Sequence, residues 1–177
     1  MNVLSLFDGI SCAKIALDNL SIDVDNYFAS EVDVHCINVS KKKFQKIIHL
    51  GDVREINYSK LPKIDLLIGG SPCQDLSIAK AGRGLKGSKS NLFYEYVNAL
   101  NQLKPKYFLL ENVKNKWGAK MSELVGTEFV EINSNIFSAQ SRPRYYWTNI
   151  DFGKTPNRIN NENISDILEN KVDNKYH

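Results

Sequence analysis

The chain has 177 residues, of which 42% are hydrophobic and 24% charged, values typical of one folded domain and not of a disordered chain. Its formal net charge of +3 is too small to indicate a nucleic-acid-binding protein by itself. No apolar run is long enough for a membrane span, and Asp8 interrupts the apolar N-terminus, so neither a membrane protein nor a secreted one is predicted.

The three cysteines are Cys12, Cys36 and Cys73, and they cannot all pair within the chain. In the absence of a secretory signal, we expect reduced thiols in a cytoplasmic protein. Packing accounts for two of them, which leaves one thiol as a candidate for chemistry.

Short apolar runs alternate along the chain with segments of helical periodicity. Strands are predicted at 3–7, 27–30, 47–50, 64–68, 107–110, 129–132 and 144–150. Helices are predicted at 11–20, with Ile15, Ala16 and Leu20 on one face, at 34–44, at 92–103 and, as a short segment, near 164–168. This alternation indicates an α/β fold with a doubly wound, mostly parallel sheet. Ligands bind beyond the carboxyl ends of such strands, so the residues that follow each strand are the candidates for a site.

The residues that follow the first three strands predict a nucleoside pocket. Gly9 lets the backbone approach a ligand, although any tight turn between a strand and a helix has the same composition. Glu31 and Asp33 follow the second strand and Asp52 follows the third, where carboxylates accept hydrogen bonds from ribose hydroxyls. A single such acid is more often a solvated surface residue. Acids at consecutive strand ends, without the G-x-G-x-x-G spacing of a pyrophosphate site, favour S-adenosylmethionine over a dinucleotide.

Two further strand ends carry residues suited to catalysis. Cys73 follows two glycines, which give the backbone conformational freedom, and Pro72, which restricts it. A thiol ordinarily titrates at about pKa 8.5, so Cys73 would need activation, and a buried structural thiol is the alternative. Glu111 follows the fifth strand, where partial desolvation raises the pKa of a carboxyl and favours its protonated form. A helix-capping acid is the alternative for Glu111.

Two basic segments point toward an anionic partner. Residues 80–89 combine three glycines and four cations with no acid, which predicts a mobile basic loop. Arg142 and Arg144 flank Pro143 just before a strand, so both can point toward one anionic group. An ordinary surface loop is the alternative for the arginine pair.

These motifs, in this order, resemble those of the DNA cytosine-5 methyltransferase family over about residues 1–150. The matching segments are Phe7-Asp8-Gly9, the acids Glu31 and Asp52, Ser71-Pro72-Cys73-Gln74, Asn91-Leu92-Phe93, Glu111-Asn112-Val113, and Gln140, Arg142 and Arg144. A single Pro-Cys pair is a weak signal, whereas six motifs in order at strand ends are a strong one.

The resemblance implies a Rossmann-like methyltransferase fold with an antiparallel strand near the C-terminus, and S-adenosylmethionine as cofactor, with S-adenosylhomocysteine as its product. The cofactor-binding residues it implies are Phe7, Asp8, Gly9, Ile10, Glu31, Val32, Asp52, Val53, Pro72 and Leu92. It assigns catalysis to Cys73, which would add to C6 of a flipped-out cytosine, and to Glu111, Arg142 and Arg144. It assigns DNA contacts to Gln74, Lys80, Arg83, Lys86, Lys89 and Gln140. No metal and no membrane association are expected.

One departure from the family's pattern affects DNA recognition. A target recognition region and a final cofactor-pocket motif follow the two-arginine motif in the family, whereas 27 residues follow Ile150 here. We therefore expect a catalytic domain at 1–150 and a polar tail or connector at 151–177. Double-stranded DNA would be the substrate, read by a second subunit or a missing C-terminal region. A catalytically silent module that binds DNA or a partner protein is the alternative. A small-molecule methyltransferase is a third reading, which the basic loop and the arginine pair disfavour.

Overall fold

The computed structural model describes residues 1–72, 91–151, 153–154 and 157. Its strands are β1 (Asn2–Leu6), β2 (Asn26–Ser30), β3 (Ile48–His49), β4 (Leu66–Gly70), β5 (Tyr107–Val113), β6 (Phe129–Asn133) and β7 (Pro143–Thr148). Its α-helices are α1 (Cys12–Asn19), α2 (Val34–Lys43), α3 (Asn91–Leu103) and α4 (Gly118–Val125), and short 3₁₀ helices lie at Val53–Glu55, Tyr58–Lys60 and Ser134–Ile136. None of the helices in these ranges combines the length and apolar character needed to cross a membrane.

The seven strands form one sheet in the order β3-β2-β1-β4-β5-β7-β6. Strands β1 to β5 pair in parallel, and β7 pairs antiparallel with both β5 and β6. The predicted α/β sheet, mostly parallel with an antiparallel strand near the C-terminus, is confirmed. The strand order reverses between β1 and β4, and this switch point is where parallel sheets of this kind bind ligands.

Apolar residues cover both faces of the sheet, as expected for strands buried between helices. Leu4 and Leu6 of β1 pack with Phe93 of α3 and Met121 of α4 on one face. Val3 packs on the opposite face in a second cluster, whose other buried members include Leu17 and Tyr27. The sheet is therefore packed on both faces.

The prediction that Ile15, Ala16 and Leu20 share one face of α1 was wrong for Leu20. Leu17 faces the sheet and is 6% exposed, whereas the predicted Leu20 is 69% exposed. The helix ends at Asn19, and Leu20 and Ser21 leave the helical conformation, so Leu20 no longer shares a helix face with Ile15.

Strands β4 and β5 run further than predicted. Gly69 and Gly70 belong to β4, where they pair with Leu110 and Glu111 of β5. Glu111 to Val113 belong to β5, because β7 supplies an antiparallel partner up to the pair Val113 and Arg144. A side chain at Gly69 would lie 2.6 Å from the buried Tyr96 ring, so close helix packing excludes larger residues here. Helix α4 was not predicted.

Trp147 anchors β7 to α4 through a buried hydrogen bond. Its indole Nε1 donates to Ser122 Oγ at 2.9 Å, and both side chains are buried. Ser122→Ala would leave the indole N–H buried without an acceptor, so we expect it to lower the free energy of unfolding by about 1–3 kcal/mol in urea titrations. In a Trp147→Phe background the same substitution should have little effect, because no donor remains. Equal losses in both backgrounds would contradict this account.

Candidate active site

A cavity of about 280 Å³ opens beyond the carboxyl ends of β1, β2, β3 and β4. Its lining residues are Phe7, Ser30, Glu31, Val32, Asp52, Val53, Arg54, Pro72 and Leu92. Seven of these are predicted cofactor-binding residues, namely Phe7, Glu31, Val32, Asp52, Val53, Pro72 and Leu92. The other three predicted residues, Asp8, Gly9 and Ile10, lie outside the lining. The fold thus brings together four strand ends and the start of α3 around one cavity.

Glu31 is held at the cavity wall by backbone amides. Its Oε1 accepts hydrogen bonds from the N–H groups of Val32 at 2.8 Å and Asp33 at 2.9 Å, and its Oε2 accepts one from Gly9 at 2.8 Å. An ionised carboxylate has about four acceptor positions. One position on Oε2 is left for a hydroxyl donor of a ligand.

Asp52 lies beside Arg54, a residue that the sequence analysis missed. The Asp52 carboxylate accepts from the Arg54 backbone N–H at 3.0 Å and from its Nε at 2.9 Å, and the guanidinium also reaches the second oxygen. These hydrogen bonds from Arg54 lower the pKa of Asp52 to about 2, so the group is an anion at neutral pH. Arg54 follows Asp52 by two residues, a spacing at which Asp side chains commonly accept a backbone hydrogen bond, and this spacing could have identified Arg54.

The chemistry of the cavity fits a nucleoside without phosphates. Its walls are apolar at Phe7, Val32, Val53, Pro72 and Leu92, and its two acids accept hydrogen bonds from hydroxyls and amines. Among its described lining residues the only cation is Arg54, which is already paired with Asp52. A polyphosphate would meet no unpaired cation among these described lining residues, whereas the adenosine of S-adenosylmethionine needs none.

A second, larger cavity of about 490 Å³ lies between α1 and the segment after α2. It is lined by lysines and apolar residues, and its one acid, Asp25, is paired with the N-terminal amine at 2.7 Å. None of the predicted site residues lines it. Volume alone therefore does not identify the site.

Glu111 and Arg144 form an ion pair across β5 and β7. Arg144 Nε lies 2.8 Å from Glu111 Oε1, and the two side chains are 15% and 35% exposed, respectively. A Cβ added at Gly70 would lie 3.2 Å from Glu111 Oε2, so this oxygen lies against the bare backbone of β4. Burial raises the pKa of Glu111, although Arg144 and Arg142 oppose the effect. A carboxyl that protonates more readily is suited to donating a hydrogen bond.

Asn112, the neighbour of Glu111, ties the end of β4 to β5. Its Nδ2 donates to Ser71 Oγ at 2.8 Å and to Ser71 O at 3.1 Å, and its Oδ1 accepts from the Val113 N–H at 2.8 Å. Both Asn112 and Ser71 are buried. The pair fixes the backbone just before Pro72, a wall of the cavity. Asn112 was part of a recognised motif, but its position alone did not indicate this partner.

The remaining described site residues lie on or near β7. Tyr146, which the sequence analysis missed, is paired with Glu111 across the two strands and is half-buried. Side chains two positions apart in a strand lie on the same face of the sheet, so the position of Tyr146 two residues after Arg144 could have identified it. Arg142 and Gln140 are exposed; the Arg142 N–H donates to Asn133 Oδ1 at 2.8 Å.

Several predictions fall outside the described residues. They concern Cys73, Gln74, Lys80, Arg83, Lys86 and Lys89, the mobility of loop 80–89, and the helix near 164–168. All of them stay predictions. Within the described ranges, no three His, Cys, Asp or Glu residues group as a metal site would require.

Comparisons with known proteins agree on one family. A family model described as C-5 cytosine-specific DNA methylase matches residues 1–177. The orphan methyltransferase M.SPRI of Bacillus phage SPR is 37% identical over 161 residues, which cover 82% of this chain and 37% of that protein. The type II methyltransferase M.FnuDI of Fusobacterium nucleatum is 35% identical over 140 residues, or 77% of this chain and 40% of that protein.

A solved structure has the same fold. The S. pombe Dnmt2 methyltransferase superposes with a TM-score of 0.71 at 20% identity, over 98% of this chain and 62% of that one. The chain spans between 32% and 50% of the length of the curated relatives it matches.

The raised pKa of Glu111 predicts how stability changes with pH. The folded protein holds this proton to higher pH than the unfolded chain, whose carboxyl titrates near its ordinary value of 4.5. Stability is therefore lost as pH rises through 4.5 toward the folded-state pKa. Glu111→Gln removes this titration. We expect the unfolding free energy of the wild type, relative to the variant, to fall in urea titrations as the pH rises above 4.5. A difference that grows with pH would mean that Arg144 outweighs burial.

Proposed function

Because the chain belongs to the C-5 cytosine-specific DNA methylase family, we propose that it transfers a methyl group from S-adenosylmethionine to C5 of cytosine in DNA. One observation carries the proposal: a cavity suited to a phosphate-free nucleoside and the Glu111–Arg144 pair lie at the same edge of one sheet. The cavity suits the cofactor, and the pair suits a polar heterocycle beside it.

The residues of the cavity would hold the cofactor by its adenosine. Glu31 would accept a ribose hydroxyl on the free position of Oε2, and Asp52, as an anion, would accept the adenine amine. Phe7, Val53 and Leu92 would pack against the rings. When bound, S-adenosylmethionine supplies an electrophilic methyl group carried on a sulfonium.

The protein's part in the reaction is to make C5 of cytosine nucleophilic. In our proposal the Cys73 thiolate forms a bond to C6, and the ring electrons shift toward C5. Glu111 donates a hydrogen bond or proton at N3 as charge builds on the ring, and Arg144 holds Glu111 and the cytosine carbonyl. After methylation, the C5 proton passes to solvent, the thiolate leaves C6, and N3 returns its proton or hydrogen bond to Glu111, which restores the ring. Cys73 directly follows the cavity residue Pro72 in sequence.

DNA binding would involve the basic segments and more protein than this catalytic region. The target base must leave the duplex to reach such a site. We assign phosphate contacts to Lys80, Arg83, Lys86, Lys89 and Arg142, and contacts near the flipped base to Gln74 and Gln140. A second subunit, or a further region of a longer chain, would read the DNA sequence.

Covalent trapping tests the nucleophile. We expect the wild type, with S-adenosylmethionine, to form a denaturation-resistant adduct with mixed-sequence duplex DNA that contains 5-fluorocytosine, because fluorine at C5 blocks release of the thiolate. Cys73→Ser should form no adduct and should lose methyl transfer to ordinary DNA by more than about a thousandfold. Cys12→Ser, a thiol on the exposed side of α1, is the matched control and should behave as wild type. An adduct with Cys73→Ser would refute the assignment. No adduct with the wild type, either alone or together with a candidate recognition subunit, would favour the catalytically silent module.

Calorimetry with S-adenosylhomocysteine tests the cavity. Asp52→Asn removes an anionic acceptor, so we expect about tenfold weaker binding or more, the equivalent of one hydrogen bond to a charged group. Asp33→Asn is the matched control: Asp33 also follows a strand, but it caps α2 through the N–H of His35 at 2.8 Å and lies outside the cavity lining. Asn caps helices as well as Asp does, so binding should be unchanged. Equal affinities for both variants would remove Asp52 from the site.

A further inference from the structure

The loop between β1 and α1 has an unusual backbone conformation. Phe7, Gly9 and Ser11 all have positive φ angles, of 57°, 60° and 64°. Glycine adopts this region freely, whereas phenylalanine and serine do so at a cost. Ser11 stands at the start of α1 but makes no side-chain capping hydrogen bond to the helix. Contacts with the rest of the fold must therefore hold Phe7 and Ser11 in a backbone conformation that their own side chains disfavour.

One such contact is the hydrogen bond from the Gly9 N–H to Glu31 Oε2 at 2.8 Å, and the others involve Asp8. Its Oδ1 accepts a hydrogen bond from the Tyr27 hydroxyl at 2.7 Å, and its Oδ2 accepts one from the Ser11 hydroxyl at 2.5 Å. Ser11 Oγ also lies 2.6 Å from Ser40 Oγ, and since the single Ser11 proton goes to Asp8, Ser40 must donate to Ser11. The Asp8 backbone N–H donates to the Ser30 carbonyl at 3.0 Å. Asp8 is thus fixed between β2, α1 and α2.

Asp8 itself does not line the cavity, but its neighbour Phe7 does. Both carboxylate oxygens of Asp8 are engaged by protein hydroxyls, and Tyr27 and Ser11 are buried at 3% and 0% exposure. We propose that Asp8 is a positioning residue: with Tyr27, Ser11 and Ser40, it holds Phe7 in the left-handed conformation that forms one wall of the cofactor cavity. This inference rests on the proposed function, which makes the cavity a cofactor site.

A substitution at Tyr27 can distinguish a positioning role of Asp8 from direct contact between Asp8 and the ligand. The ring of Tyr27 packs with Val3, Leu17 and Ala29 in the cluster on the far face of the sheet, away from the cavity lining. Removing its hydroxyl therefore removes no contact with a bound ligand. A change in ligand affinity would then be transmitted through the partners of the Tyr27 hydroxyl, of which Asp8, at 2.7 Å, adjoins the cavity residue Phe7.

The test compares two Tyr→Phe variants of the full chain. Tyr27→Phe removes a donor to Asp8, whereas Tyr58→Phe, the matched control, removes a buried hydroxyl that has no partner among the described residues. We expect S-adenosylhomocysteine to bind Tyr27→Phe about tenfold more weakly, and Tyr58→Phe as tightly as the wild type. Without ligand, the Ser11 amide, whose N–H donates to the Asp8 carbonyl at 3.1 Å, should exchange its hydrogen faster only in Tyr27→Phe. Ser40→Ala, one link further from Asp8, should show both effects more weakly.

The outcomes distinguish this inference from the proposal beneath it. If the wild type binds S-adenosylhomocysteine and Tyr27→Phe binds it equally well, with unchanged Ser11 exchange, the positioning role is overturned while the cofactor site stands. If the wild type does not bind it at millimolar concentration, the cofactor site itself fails and this inference fails with it. Should Tyr27→Phe not fold, the comparison of Ser40→Ala with the wild type decides the matter by the same two measurements.

Discussion

The register of β5 between its two neighbours is the constraint on which the site depends. On one side β5 pairs in parallel with β4, which sets Glu111 beside Gly70, and on the other it pairs antiparallel with β7, which sets Glu111 opposite Tyr146. A slip of one residue would turn Glu111 to the other face of the sheet and bring Asn112 into its place. The buried bonds from Asn112 to Ser71 and the Glu111–Arg144 pair both oppose such a slip. Register and site geometry are therefore set by the same residues.

Two carboxylates at this edge have opposite environments, and in the proposed function this difference divides binding from catalysis. Asp52 is held as an anion by hydrogen bonds from Arg54, whereas burial raises the pKa of Glu111 in spite of Arg144. Environments that push the pKa values of two acids apart are how one site obtains both an acceptor and a proton donor. An anion suits an amine that must be bound and released unchanged. A carboxyl that protonates readily suits a ring on which charge develops.

The sequence supported the architecture better than the side-chain contacts. The alternation of strands and helices predicted the parallel sheet, because a strand that is followed by a helix pairs in parallel with the next strand and is buried on both faces. Glu111 was expected just after a strand, yet it lies within β5, because the partner that extends β5 is a strand more than thirty residues later. The predicted face of α1 included Leu20, which the early end of the helix leaves exposed. Asp8 was read as a cofactor ligand, and only the folded chain shows its oxygens engaged by Tyr27 and Ser11.

The energies involved explain why the hydrogen bonds of Asp8 are enough to hold the loop between β1 and α1. A left-handed conformation costs roughly 1–2 kcal/mol for a residue other than glycine, so Phe7 and Ser11 together cost about 2–4 kcal/mol. A hydrogen bond to a charged group contributes about 1.5–3 kcal/mol, and Asp8 accepts two of them from buried hydroxyls. The backbone cost and the contribution of the two hydrogen bonds are similar in size, so the hydrogen bonds of Asp8 offset the cost without a large surplus. A loop ordered in this way before a ligand arrives loses little conformational freedom on binding, and more of the contact energy in the cavity then appears as affinity.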